Sequence, residues 1–220
     1  MKNSNIKQLV IVCRDYDINW NQFINPIFVG VESGILSLLA HKKPINFVCG
    51  DHDTITKQQL KFINKQSQHN DFDIITFTKE KDFIDSELAI IIAINKNIDF
   101  QQIVIVADGW RWDMLLTSIN LLKKYQSFNP ILLGNNNYCF LLQAKTEYIF
   151  SDWQLTYKYI SFFSLDGEEV IYNFSGCKFY PNQDIIVTSN STQAISNEFN
   201  QQEIAKLTIK KGHCLIFLSK

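Results

Sequence analysis

Phe47-Val-Cys-Gly-Asp-His-Asp-Thr54 joins an apolar run to a pair of carboxylates. The run, Ile45 to Cys49, has the length and composition of a short buried strand, and it stops at Gly50. Asp51 and Asp53 then fall in the loop beyond the carboxyl end of that strand, where open α/β sheets bind ligands. Oxygen-only donors on a tight turn suit a hard cation such as Mg²⁺, which keeps several waters and takes one or two carboxylates together with substrate phosphates. A polar turn without a ligand is the competing reading of so short a motif.

Working outward, two further acidic stretches fall where a strand gives way to a helix. Asp82 and Asp85 sit in Lys81-Asp-Phe-Ile-Asp-Ser-Glu-Leu-Ala89, and Asp108 and Asp113 in Ala107-Asp-Gly-Trp-Arg-Trp-Asp113. Of the 21 basic side chains only Arg14 and Arg111 are arginine. In so lysine-rich a chain, a guanidinium at Arg111 points to a need for its planar fork, which matches phosphate or carboxylate geometry.

The surrounding pattern alternates strands with helices. Strands are expected at Gln8 to Cys13, Phe28 to Glu32, Ile45 to Cys49, Asp73 to Phe77 and Ile103 to Ala107. Helices are expected around Trp20 to Ile24, at Ile35 to His41, at Thr56 to about Gln66, from Asp85 or Ser86 as cap to about Asn95, and at Asp113 to Tyr125. Leu88, Ile91 and Ile92 are expected on the inner face of the fourth of these, and Leu115, Leu116, Ile119 and Leu122 on that of the fifth. This predicts an α/β fold, a doubly wound mostly parallel sheet, over residues 1–130. Beyond Asn129-Pro130 the texture changes to seven short strand-like runs between Tyr138 and Leu218, with turns at Asn135-Asn-Asn137, Asp166-Gly167, Pro181-Asn182 and Lys211-Gly212. Residues 131–220 read as an all-β sandwich.

Composition excludes several classes. A net charge of −1 leaves no electrostatic footprint for nucleic acid. The longest apolar run, Leu88 to Ile94, is far short of the roughly 20 residues of a membrane helix, so no membrane association and a cytoplasmic location are expected. The five cysteines lack metal-site spacing and read as reduced core residues.

These stretches together resemble the thiamine pyrophosphokinase family over nearly the whole chain. Its Gly-Asp-x-Asp-Ser, Asp-x-Thr-Asp and Gly-Gly-Arg-x-Asp-His motifs look like Gly50-Asp-His-Asp-Thr54, Asp82-Phe-Ile-Asp85 and Gly109-Trp-Arg-Trp-Asp-Met114. An Asp-Gly-Gly motif looks like Glu32-Ser-Gly34, a Gly-x-Lys-aromatic motif like Gly176-Cys-Lys-Phe179, and a Ser/Thr-rich signature like Thr188 to Asn197. The chain departs from the pattern at Thr54, Ile84, Trp110 and Met114, where the family has serine, threonine, glycine and histidine.

The resemblance implies transfer of the terminal pyrophosphoryl group of ATP to the hydroxyl of thiamine, giving thiamine diphosphate and AMP. It implies that Asp51, Asp53 and Asp82, with Asp85 as ligand or helix cap, hold Mg²⁺ against the phosphates. Arg111 would clamp phosphate, with Asp113 orienting it or assisting at the hydroxyl; a plain helix-start ion pair is the alternative. Gly50, Thr54, Lys81 and Gly109 would line the nucleotide site, Lys79 being a second lysine within reach. His52 is either a ligand contact or a loop residue. Ser196 and Asn197 would meet the aminopyrimidine, with Phe179 or Trp153 stacking on the ring, whereas Phe162, Phe163 and Tyr172 are expected in the core. A homodimer is implied, the sandwich supplying part of the thiamine pocket to the partner subunit. Two other readings stand beside this one: a non-catalytic thiamine-binding dimer with a decayed nucleotide site, and a Mg²⁺-dependent phosphohydrolase.

Overall fold

The computed structural model describes residues 5–78, 80, 82–107, 109, 111–165 and 167–220 of the chain. Lys79, Lys81, Asp108, Trp110 and Asp166 lie outside the described residues, and with them the expectations placed on those positions. The chain divides into two compact units, Met1–Asn135 and Asn136–Lys220.

In the first unit, β1 (Gln8–Val12), β2 (Pro26–Val31), α1 (Gly34–Ala40), β3 (Ile45–Gly50), α2 (Lys57–Asn70), β4 (Asp73–Thr76), α3 (Asp85–Asn95), β5 (Gln102–Val106), α4 (Trp112–Lys124) and β6 (Ile131–Leu133) follow one another. The six strands lie in the order β4-β3-β2-β1-β5-β6 with every pair parallel. The chain steps outward from β1 to β4, then returns to the other side of β1 for β5 and β6, which is the reversal that defines a doubly wound sheet. β1 and β5 are nearly uniform runs of Leu, Val and Ile because both of their faces are covered, and the four residues Ile103 to Val106 are fully buried. Thr56 and Gln59 close a capping box at the start of α2.

Four local expectations are corrected. Residues 20–24 form turns, because the Asn19 carboxamide accepts from the Asn21 N–H and the Gln8 side chain accepts from the Ile24 N–H, which removes the donors a helix would use. α3 takes Ile84 as its N-cap, without a capping hydrogen bond from a side chain. Its buried face is Ala89, Ile90 and Ala93, since α3 is apolar nearly all round and periodicity could not choose. On α4, Ser118, Leu121 and Leu122 are buried while Leu116 is exposed. Strand β6, just after Pro130, was not expected.

The second unit holds β7 (Asn137–Gln143), β8 (Thr146–Ile149), β9 (Tyr159–Ser164), β10 (Val170–Ser175), β11 (Asp184–Val187), β12 (Lys206–Lys211) and β13 (His213–Ser219). They pair antiparallel in two groups, β7-β13-β9 and β11-β10-β12-β8. Aromatic rings fill the space between the groups: Phe162 of β9 stacks on Tyr172 of β10 at 4.3 Å between centroids, and Phe174 meets Phe150 and Phe199. Phe163 alternates to the outer face and packs edge-on against Phe217, so it is not core. All five cysteines are free thiols. Among the described residues no helix is long and apolar enough to cross a membrane.

Candidate active site

Five strands of the first unit, β1 to β5, end at one edge of the sheet, and the loops leaving them enclose a cleft of about 480 Å³. Asp51, Asp53 and Thr54 line it after β3, Asp82 and Asp85 after β4, and Arg111 after β5. The first two acidic stretches of the sequence therefore meet at one place, and the third brings Arg111 there rather than Asp113.

The β3 loop is shaped by a residue that sequence reasoning quoted but gave no role. Glu32 leaves β2 with φ +49°, and its Oε1 and Oε2 accept from the His52 N–H (3.1 Å) and the Thr54 hydroxyl (2.9 Å). The Asp53 N–H in turn donates to Asp51 Oδ1 (3.1 Å). Glu32, Asp51 and Asp53 each offer an oxygen, all within 4.8 Å of one another. Carboxylates packed that closely repel one another unless a cation lies among them, and an all-oxygen donor set fits a hard cation such as Mg²⁺. Its position at the carboxyl end of the strand beside β3 was the available signal for Glu32.

Gly50 carries the turn. A Cβ there would lie 2.0 Å from Glu32 Oε1, and its φ is +149°. Gly34 allows an equally close approach, since a Cβ on it would lie 1.9 Å from the Val12 carbonyl oxygen, so α1 starts hard against the end of β1. His52, at φ +58°, is buried at 8 % exposure; neither ring nitrogen has a protein hydrogen-bond partner, and the side chain is not part of the cleft wall.

Arg111 N-caps α4 and grips Asp113 through two hydrogen bonds, Nε to Oδ1 at 3.1 Å and Nη2 to Oδ2. The guanidinium holds the Asp113 carboxyl below the usual carboxylate range. Both Asp113 oxygens face the arginine, and Asp113 itself does not line the cleft. Gly109 sits half-buried in the loop between β5 and Arg111. Met114, Ile84 and Arg14 also form the wall, as does Cys13, whose thiol is pushed up to about 12 by burial and the nearby Asp85 charge.

A second cavity, about 410 Å³, lies within the second unit and is lined by Ser196, Asn197, Phe179, Tyr180 and residues of β10 and β11. Asn197 is a brace as well as a wall: its carboxamide accepts from the Phe179 and Glu198 N–H groups (3.0 and 2.8 Å) and donates to the Phe179 carbonyl (2.9 Å). Ser196, at φ +57°, donates its N–H to the Ser161 hydroxyl. Trp153 is not part of this wall and packs edge-on against Tyr138 and Tyr157.

Comparison with known proteins adds an independent line. The family model described as "Thiamin pyrophosphokinase, catalytic domain" matches residues 19–133. A thiamine pyrophosphokinase of Bacillus subtilis (strain 168) is 33% identical over 177 residues, 78% of this chain and 78% of the relative. Among solved structures, a thiamine pyrophosphokinase from Bacillus subtilis superposes with a TM-score of 0.80 at 24% identity, covering 98% of this chain and 99% of the other. The thiamin pyrophosphokinase from Candida albicans gives 0.74 at 13% identity over 98% and 90%. At those identities the structures speak for the fold.

Proposed function

The chain belongs to the thiamin pyrophosphokinase family, and on that premise we propose how its residues carry the transfer of a pyrophosphoryl group from ATP to thiamine. The thiamine hydroxyl oxygen attacks the β-phosphorus, the bond from that phosphorus to the oxygen of the α-phosphate breaks, and AMP leaves; the hydroxyl proton is released. The demands on the protein are to neutralise several phosphate oxygens, to hold attack and departure in line, and to exclude water.

The observation that supports this reading best is the meeting of Glu32, Asp51 and Asp53 within 4.8 Å in a cleft that also holds Arg111. Asp51 and Asp53 together with Glu32 would hold Mg²⁺, and Asp82 and Asp85, which line the same cleft but fall outside that 4.8 Å group, would add acidic groups toward it. Held there, the ion would supply charge neutralisation on the phosphates. Arg111 holds a phosphate through the donors Asp113 leaves open, and Asp113 orients it; a carboxylate whose two oxygens both face a guanidinium, with its pKa depressed, is a poor proton acceptor. Gly50, Thr54 and Gly109 keep the loop backbones close to the nucleotide, and a phosphate contact from Lys81 is implied by the family resemblance alone.

Thiamine belongs to the cavity of the second unit in this reading. Phe179 offers an aromatic face to the cationic ring, and Ser196 and Asn197 offer polar partners to the aminopyrimidine. In this reading the first unit, Met1–Asn135, which takes in β6 beyond the boundary at residue 130 expected from sequence, is the catalytic domain, and the second, Asn136–Lys220, is the thiamine-binding and dimerisation domain of a cytoplasmic homodimer, each sandwich contributing to its partner's thiamine site. Sedimentation equilibrium tests the dimer. Calorimetric titration with thiamine, with and without Mg-ATP, tests the linkage of the sites: the proposal requires nucleotide to change thiamine affinity, and indifference would favour a non-catalytic binding protein.

A further inference from the structure

The chain draws almost all its positive charge from lysine; only Arg14 and Arg111 of its 21 basic residues are arginine. Both line the same cleft, and no lysine among the described residues does. Arg111 is absorbed by the reaction above, whereas Arg14 has no role in it.

Arg14 stands where β1 leaves the sheet. The Cys13 N–H still donates to the Val106 carbonyl of β5 (3.2 Å), continuing the ladder, and the chain departs at the next residue. β1 and β5 are neighbours with Val12 opposite Val106, and the strand order reverses between them. The loops bearing Arg14 and Arg111 therefore flank the switch point, the crevice in which doubly wound sheets hold their ligands.

The charges of the cleft call for a second cation there. Glu32, Asp51, Asp53, Asp82 and Asp85 all line it, and a triphosphate brings several more negative charges. Arg111 commits two of its five N–H donors to Asp113. Lysine would offer a point charge, whereas a guanidinium binds two phosphate oxygens side by side and keeps them oriented.

We propose that Arg14 is a second phosphate-binding arginine, which holds the terminal pyrophosphoryl group of the nucleotide from the β1 side of the cleft while Arg111 holds it from the β5 side. This deepens the proposed function and rests on it. The terminal pair of phosphates is assigned because it carries most of the nucleotide's charge and is the group that must stay in line during transfer.

The test is calorimetric titration of the full-length protein with α,β-methylene-ATP, which cannot be cleaved at the reacting bond, and with AMP, both with Mg²⁺, in wild type, Arg14→Gln and Arg14→Lys. Arg14→Gln is expected to weaken the analogue by about tenfold to a hundredfold, the worth of a charge-assisted pair, with AMP and thiamine binding changed less than about twofold. Arg14→Lys should recover only part, and the KM for ATP should rise with the analogue's Kd. Analogue binding by Arg14→Gln within about twofold of wild type overturns the proposal. Equal weakening of AMP overturns the assignment to the terminal phosphates, and equal weakening of thiamine together with a lowered Tm would make Arg14 a structural residue. If wild type binds neither nucleotide, the proposed function itself falls and this inference with it; if wild type binds and Arg14→Gln binds alike, only the inference falls.

Discussion

The Glu32 carboxylate occupies the space that a side chain on Gly50 would need, with 2.0 Å between Oε1 and the position of a Cβ. The β2 and β3 loops are therefore fitted to each other. Gly50→Ala is expected to cost about 1–3 kcal/mol, through displacement of Glu32 and an unfavourable φ, and to raise the Mg²⁺ concentration needed for half-maximal activity. Glu32→Gln keeps the size and an acceptor for the His52 N–H but loses the charge. Its stability should stay close to wild type in urea denaturation while its Mg²⁺ requirement rises. An unchanged requirement in Glu32→Gln would remove Glu32 from the cation site.

Asp113 orients Arg111 in this account, which pH profiles can distinguish from proton transfer. The pKa of Asp113 is lowered by Arg111, so their attraction is fully present above the ordinary value of 3.8 and is lost only as pH falls through the depressed one. Across the neutral range the pair is constant. Asp113→Asn should therefore lower kcat/KM by about tenfold to a hundredfold through misplacement of Arg111, leaving the shape of the pH profile unchanged. Loss of an acidic limb in that variant would assign Asp113 to proton transfer instead.

Beside the cleft wall, α3 and α4 are joined by a buried carboxylate. Glu87, 6% exposed, accepts from the Tyr125 hydroxyl (3.0 Å) and pairs with Lys124 (2.5 Å), whose ammonium also lies 5.1 Å from the centre of the Phe83 ring. Burial and Glu87 together push the Tyr125 phenol up to about 12. With the folded value above the unfolded 10.0, the stabilisation is fully present below pH 10.0 and lost as pH rises through about 12. Tyr125→Phe should cost about 1 kcal/mol at neutral pH, a difference that stays flat to pH 10.0 and then closes toward pH 12 in denaturation series. Lys124→Met should cost about 1–3 kcal/mol by leaving a buried carboxylate short of its cation.

In the second unit, Asn197→Ala removes the two hydrogen bonds that hold the Phe179 backbone and a third from the Glu198 N–H. The expected result is about 1–3 kcal/mol of lost stability and weaker thiamine binding with nucleotide binding unaltered, measured by calorimetry. Unchanged thiamine affinity would move the thiamine site away from this cavity.

The sheet was legible because its strands are short apolar runs, and run ends near Gly50 and Ala107 are enough to put Asp51, Asp53 and Arg111 on the ligand-binding edge. Helix faces were harder. α3 is apolar nearly all round, so Leu88 and Ile92 were as plausible inward as Ala89 and Ala93, and only packing decides. The turns at residues 20–24 escaped because side-chain amides, Gln8 reaching from sixteen residues away, take the backbone donors. Glu32 and Arg14 were harder to assign, because a place at a strand end and, for Arg14, the rarity of arginine do not say which loop or charge each one faces. Each acquires its role from a neighbouring strand, Glu32 through the β3 loop and Arg14 through the reversal between β1 and β5.

The central claim is tested most directly by a product assay with purified protein, thiamine, Mg²⁺ and ATP, resolving thiamine diphosphate, AMP and ADP, with Asp53→Asn run alongside. The account predicts thiamine diphosphate and AMP in equal amounts, both lost in Asp53→Asn. Thiamine binding without any diphosphate formed, or ATP consumed at the same rate whether or not thiamine is present, would contradict it.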